Sequence, residues 1–173
     1  MDVVIRELAG LDPPILDQLA SIVIDCVADG ASIGFVAPLL PPEAREFWRS
    51  VETPSVRLLI AEVEGTVVGT VHLQLATRAN GLHRAEVAKL LVAPMMQRRG
   101  IARRLMNAIE SVARREGRCL LVLDTREGDP SNLLYQSMAY VEVGRVPRYV
   151  RSSERVFEAT VIYYKDLDPV LAS

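Results

Sequence analysis

No stretch of the 173-residue chain approaches the ~20 consecutive apolar residues of a membrane helix. The start, Met1-Asp2-Val3-Val4, lacks a basic segment followed by an apolar one, so no secretory signal is expected. Cysteine is scarce. Cys26 and Cys119 stand far apart and form no CxxC unit, which argues against a metal site or a disulfide framework and fits a reducing cytosol. Histidine is equally scarce, and His72 and His83 lack the i, i+4 spacing of a helical zinc pair. No sign of charge is in large excess either: the net charge of −2 argues against a nucleic-acid-binding protein. What remains is one soluble, cytoplasmic domain over residues 1–173, without metal or membrane. Half of its residues are apolar and 24% charged, enough to build a full core.

The pattern along the chain alternates between the two periodicities. Residues 3–5 begin a short strand. Asp12 followed by Pro13 reads as a helix start, with Ile15, Leu19, Ile22 and Cys26 at helical spacing and Gly30 as the stop. Residues 28–35 form a loop of small residues. Pro41-Pro42-Glu43 opens a second helix carrying Ala44, Phe47, Trp48 and Val51, closed by Pro54. Residues 56–63 and 66–76 are strands joined at Glu64-Gly65, a two-residue hairpin tip, and residues 85–93 are a third strand. A long amphipathic helix follows. Ile101, Leu105, Ala108, Ile109 and Val112 fall on one face, Arg103, Asn107, Glu110 and Arg114 on the solvent face, and Gly117 ends it. The run Cys119-Leu120-Leu121-Val122-Leu123 has the texture of a strand buried on both faces. A short helix from Asp129-Pro130 and strands near 140–146 and 156–164 complete an α/β (α+β) order: one mixed sheet with helices on both faces.

The segment with chemical content is Leu90-Leu91-Val92-Ala93-Pro94-Met95-Met96-Gln97-Arg98-Arg99-Gly100-Ile101-Ala102: an apolar strand, a short loop and a helix start. Successive backbone N–H groups at a helix N-terminus form an anion site, and the helix dipole reinforces it. Gly100 and Ala102 lack bulk, so a pyrophosphate can approach the backbone. Between residues 98 and 118 there are seven arginines against two glutamates, a local charge of +5. The physical reading is a phosphate-bearing ligand; the alternative is a plain helix cap.

The motif Gln97-x-x-Gly100-x-Ala102, placed after Val92-x-Pro94 and before an amphipathic helix, resembles the signature of the GNAT acetyltransferases, and the order of elements from residue 3 to 165 is similar to that fold. The resemblance implies a mixed, mostly antiparallel sheet of about seven strands with about four helices. It implies acetyl-CoA as co-substrate, its pyrophosphate on Gln97, Arg98, Arg99, Gly100, Ile101 and Ala102, and its thioester arm along the backbones of Leu90, Leu91 and Val92. Residues 29–35, 80–90, 123–125 and 139–144 further resemble the tabtoxin-resistance group of that family, which implies a small polar amine as acceptor.

Acetyl transfer from a thioester to an amine needs a base for the ammonium, donors for the oxyanion, an acid for the leaving thiolate, and alignment. Glu86, a carboxylate within Ala85-Glu86-Val87-Ala88, is either an inward base with a raised pKa or an outward partner of Lys89 or Arg84. Asp124 either caps the next turn or works at a strand end where α/β sites collect. The resemblance makes Glu86 the base, pairs Asp124 with it, and makes Tyr135 the proton donor to the thiolate. One departure stands out: Gly128 occupies the place, seven residues before the tyrosine, where many family members carry a cofactor-binding asparagine, and Asn132 lies in the helix itself. Phe35 is a candidate wall of the acceptor pocket, and Trp48 with Phe47 packs the second helix. Other readings are a protein or peptide N-acetyltransferase needing an open groove, and a regulatory domain that binds acetyl-CoA without turnover. Nucleic-acid binding by the arginines is disfavoured for want of interleaved aromatics. The chain is expected to be a monomer or a homodimer.

Overall fold

The computed structural model describes residues 2–168, so the ends of the expected 1–173 domain, Met1 and 169–173, lie outside it. In chain order the elements are β1 (Val4–Glu7), α1 (Pro13–Ala28), α2 (Pro41–Val51), β2 (Val56–Val63), β3 (Thr66–Leu75), β4 (Arg84–Val92), α3 (Ile101–Arg115), β5 (Leu120–Arg126), α4 (Ser131–Ser137), β6 (Val141–Arg151) and β7 (Phe157–Asp166). The strands form one sheet in the order β1-β2-β3-β4-β5-β7-β6. Every pairing is antiparallel except β4 with β5.

Local chemistry starts and stops these elements as the residue types require. The Asp12 side chain accepts from the N–H of Ile15 at 2.9 Å and caps α1, with proline in the first turn. Glu64 and Gly65 both take positive φ, as a two-residue turn between β2 and β3 demands.

Two apolar layers cover the sheet. On one face α3 presses Ile101, Leu105, Met106 and Ile109 against Leu59, Val71, Leu73, Val87 and Leu121, and α4 adds Tyr135. On the other, α1 and α2 bring Leu19, Val23 and a fully buried Trp48 against Leu58, Ile60 and Leu91. Gly69 lets α3 close on the sheet. A Cβ there would stand 2.9 Å from the Leu91 carbonyl oxygen and 3.2 Å from the Leu105 side chain.

Three elements depart from their sequence texture. β5 is buried on one face only: Leu121 and Leu123 are buried, Leu120 and Val122 half-buried, and Cys119 before it is half-buried too. The second helical layer packs on β3 and β4 and leaves that face of β5 open. Glu110 does not face solvent. It is 6% exposed, and its two carboxylate oxygens accept from Lys165 Nζ at 2.7 and 2.8 Å, tying α3 to β7. β6 runs on through Pro147 to Arg151, because an edge strand tolerates proline and the register shifts between Val146 and Val150.

Candidate active site

Parallel pairing between β4 and β5 covers only Arg84–Leu120, Ala85–Leu121 and Glu86–Val122, after which the two strands part. β4 stays on β3 but carries a bulge: His72 faces Ala88 and Thr70 faces Leu91, so Lys89 and Leu90 oppose the single residue Val71. Lys89 adopts a left-handed φ of 52° there. The peptide groups of β4 that point toward β5 beyond Glu86 therefore have no strand partner.

Side-chain alternation then fixes the faces. Ala85 and Val87 lie in the α3 layer, so Glu86 points to the opposite face, the one α1 and α2 cover elsewhere. Val122 pairs with Glu86, and Asp124, two residues on, shares its face. Glu86, Val122, Leu123, Asp124, Tyr149 and Ile162 line a cavity of about 190 Å³ there. Both carboxylates are exposed into it. Partial burial and then the Asp124 charge push the Glu86 carboxyl above its ordinary range, with Lys89 and Arg84 opposing. Asp124 Oδ2 accepts from Thr160 Oγ1 at 2.8 Å, which fixes its orientation from β7.

Tyr135 lies on the other face, 6% exposed, with its ring 5.7 Å from that of Tyr140 and 5.9 Å from that of Tyr163. Burial, followed by the charges of Asp124 and Asp129, holds its phenol protonated far above neutral pH. Asn132 is spoken for: its amide donates to the carbonyls of Arg126 and Asp129, both at 2.9 Å, and its oxygen accepts from the Tyr163 hydroxyl.

The strand–helix junction is open. Arg98 and Gly100 take φ of 61° and 78°, Gln97, Arg98, Arg99 and Gly100 are exposed, and no acid sits in the first turn of α3. No side chain caps this helix start, so its first N–H groups are unclaimed. A Cβ built on Gly100 meets no atom within 4 Å. This is a cradle with room for a phosphate, and acetyl-CoA fits it.

Phe35 is not part of the cavity lining. It stands edge-on against Phe47, 5.1 Å between ring centroids. Sequence reasoning missed Tyr149, and it treated Lys89 only as an ion-pair partner for Glu86. Lys89 is half-buried, its Nζ donates to the Ile33 carbonyl at 2.8 Å, and it stands 5.7 Å from the Phe47 ring centroid. The positive φ of a lysine in a strand was the missing signal, and no residue type announces it. His72 is buried beside Lys89 with Nδ1 unpartnered. A larger cavity of about 450 Å³, between the β1–α1 and α2–β2 connections, is remote from this junction. Of its charged groups Arg57 pairs with Glu116 and Glu7 with Arg115, and Glu52 accepts from the Leu11 N–H.

Residues 24–140 match the model of the acetyltransferase (GNAT) family. The chain is 32% identical over 129 residues, 73% of its length and 77% of the relative's, to an uncharacterized N-acetyltransferase of Azospirillum brasilense. The fold is that of an acetyltransferase from Salmonella typhimurium solved with its cofactor acetyl-CoA, at TM-score 0.78, 18% identity and coverage of 96% and 94% of the two chains. It is also that of a ribosomal-protein-alanine N-acetyltransferase from Brucella melitensis, at TM-score 0.80, 20% identity and coverage of 95% and 99%. The chain belongs to the GNAT family. It is an acetyl-CoA-dependent acetyltransferase.

Proposed function

We propose that the protein acetylates the amine of a small polar molecule, amino-acid-like or toxin-like. The observation that carries this reading is the placement of Glu86 and Asp124 on one wall of a cavity of about 190 Å³, where β4 and β5 part. Bound acetyl-CoA supplies the acetyl group as a thioester. The first N–H groups of α3, with Arg98 and Arg99, hold its diphosphate, and the backbones of Leu90, Leu91 and Val92, along the edge that β5 has left, align its arm. The two carboxylates draw in the acceptor's ammonium. Glu86, its pKa raised, takes the proton, and Asp124, anchored by Thr160, keeps the amine oriented. The Tyr135 hydroxyl gives its proton to the departing sulfur. The cavity is smaller than the roughly 300–1,000 Å³ of drug-sized sites, which favours a compact acceptor.

A peptide amine is the second reading. It is favoured by the open rim, where Tyr149 is 57% exposed, and by the fold shared with a ribosomal-protein-alanine N-acetyltransferase. Thiol release from acetyl-CoA, measured over a panel of small amines and peptides, separates the two. With the best acceptor, Glu86→Gln and Asp124→Asn each lower kcat by about 10²-fold or more. The double variant loses less than the product, since the groups act together. Wild-type turnover in either single variant refutes the assignment.

A further inference from the structure

The geometry points to Lys89 as a positioning residue that ties the α1–α2 connection to β4 and holds a cation beside Glu86. This rests on the reading of Glu86 and Asp124 as the acceptor-side pair. A left-handed lysine inside a strand is strained and persists only where its surroundings hold it. Here the bulge turns the side chain away from the β3–β4 ladder and under residues 30–40. Its Nζ meets the Ile33 carbonyl at 2.8 Å, lies 3.5 Å from where a Gly34 Cβ would stand, and lies 5.7 Å from the Phe47 centroid. The same connection is held at two further points: Arg126 Nη2 donates to the Gly30 carbonyl at 3.1 Å, and the Ala37 N–H donates to Ser153 Oγ at 3.4 Å. Lys89 is the tie that comes from the reacting strand.

The charges around it are accounted for. Glu86 on β4 and Asp124 on β5 both stabilise its cation against a burial that pushes its pKa down. In return the cation opposes the rise at Glu86, together with Arg84. From β3, His72 faces it and stays neutral, its pKa lowered to about 4 by burial and by Lys89 itself. Phe47 on α2 presents only its ring, and Tyr149 on β6 lines the far side of the cavity. Removing the Lys89 charge therefore leaves Glu86 with less compensation.

The test needs no acceptor. Carboxyl carbon NMR titration of the full-length protein reads the Glu86 midpoint, and amide hydrogen exchange reads residues 30–40. In Lys89→Met the Glu86 midpoint rises by about half to one pH unit. Exchange over 30–40 accelerates at least tenfold, while the melting shift given by acetyl-CoA is kept. Lys89→Arg restores both readouts. Lys89→Gln, which keeps a donor for Ile33 without the charge, moves the midpoint and leaves exchange within about threefold of wild type; it also serves if the methionine variant folds poorly. An unmoved Glu86 midpoint in a folded variant overturns the proposal, even with a loosened loop, because it reduces Lys89 to packing. Failure of the acid-pair reading shows separately, as undiminished turnover in Glu86→Gln.

Discussion

A single methyl group added at either of two glycines separates the cofactor cradle from the scaffold beneath it. At Gly100, φ is 78° and a Cβ meets nothing within 4 Å, so the cost of alanine to the free protein is left-handed strain alone, about 1–2 kcal/mol. For a chain of this length 1 kcal/mol moves Tm by roughly 2–4 °C, so Gly100→Ala melts about 2–8 °C lower. Acetyl-CoA at one hundred times its Kd stabilises the wild type by about 2.7 kcal/mol, a rise of roughly 5–11 °C. The new methyl occupies the space the diphosphate needs, so in Gly100→Ala this rise falls to less than half. At Gly69 the same methyl lands 2.9 Å from a backbone oxygen and 3.2 and 3.4 Å from Leu105 and Ile101. Overpacking there costs about 1–3 kcal/mol and lowers Tm through the packing of α3 on the sheet, with no left-handed strain involved. Scanning calorimetry with and without acetyl-CoA reads both variants. A full ligand-induced rise in Gly100→Ala would mean that the phosphates sit elsewhere.

Two more outcomes follow from buried groups. Tyr135→Phe keeps the ring and removes only the hydroxyl that would donate the proton, so kcat falls by about 10²-fold or more with the acetyl-CoA melting shift intact; wild-type turnover would return Tyr135 to packing. His72 titrates near 4 in the folded protein against an ordinary 6.5, so between those values the unfolded chain binds a proton that the native state refuses. Stability accordingly falls as pH drops from 6.5 toward 4, by about 3 kcal/mol from this residue. Urea denaturation across that range shows the loss, His72→Phe flattens it, and an equally steep decline in that variant refutes the assignment.

The fold was largely legible because its signals are local. Asp12-Pro13 starts a helix, Glu64-Gly65 turns a hairpin, and Gly117, with φ of 69°, stops α3 where the pattern ends. Misreadings arose where a distant element decides burial. Nothing in residues 119–123 tells that α1 and α2 leave one face of β5 open, and nothing in α3 tells that Lys165 reaches Glu110 across 55 positions. The paired acids were legible because polar residues interrupt apolar strands at Glu86 and Asp124. Lys89 and Tyr149 were not, since both owe their place to register shifts in β4 and β6 that composition does not encode.

The bulge in β4 also reverses the strand's parity. Before it, Glu86 and Ala88 point toward the acceptor face; after it, Leu91 points that way and packs under α1, while Leu90 and Val92 turn to the α3 side. An unbroken strand of the same sequence would exchange these positions, aiming Leu91 at α3 and the thioester-facing peptide groups out of the gap. The chain thus counts residues between Glu86 and the open turn at Gly100, and the bulge adds one to the count of a plain ladder. A one-residue deletion at 89 or 90 would leave the composition of the strand almost untouched and turn its second half inside out.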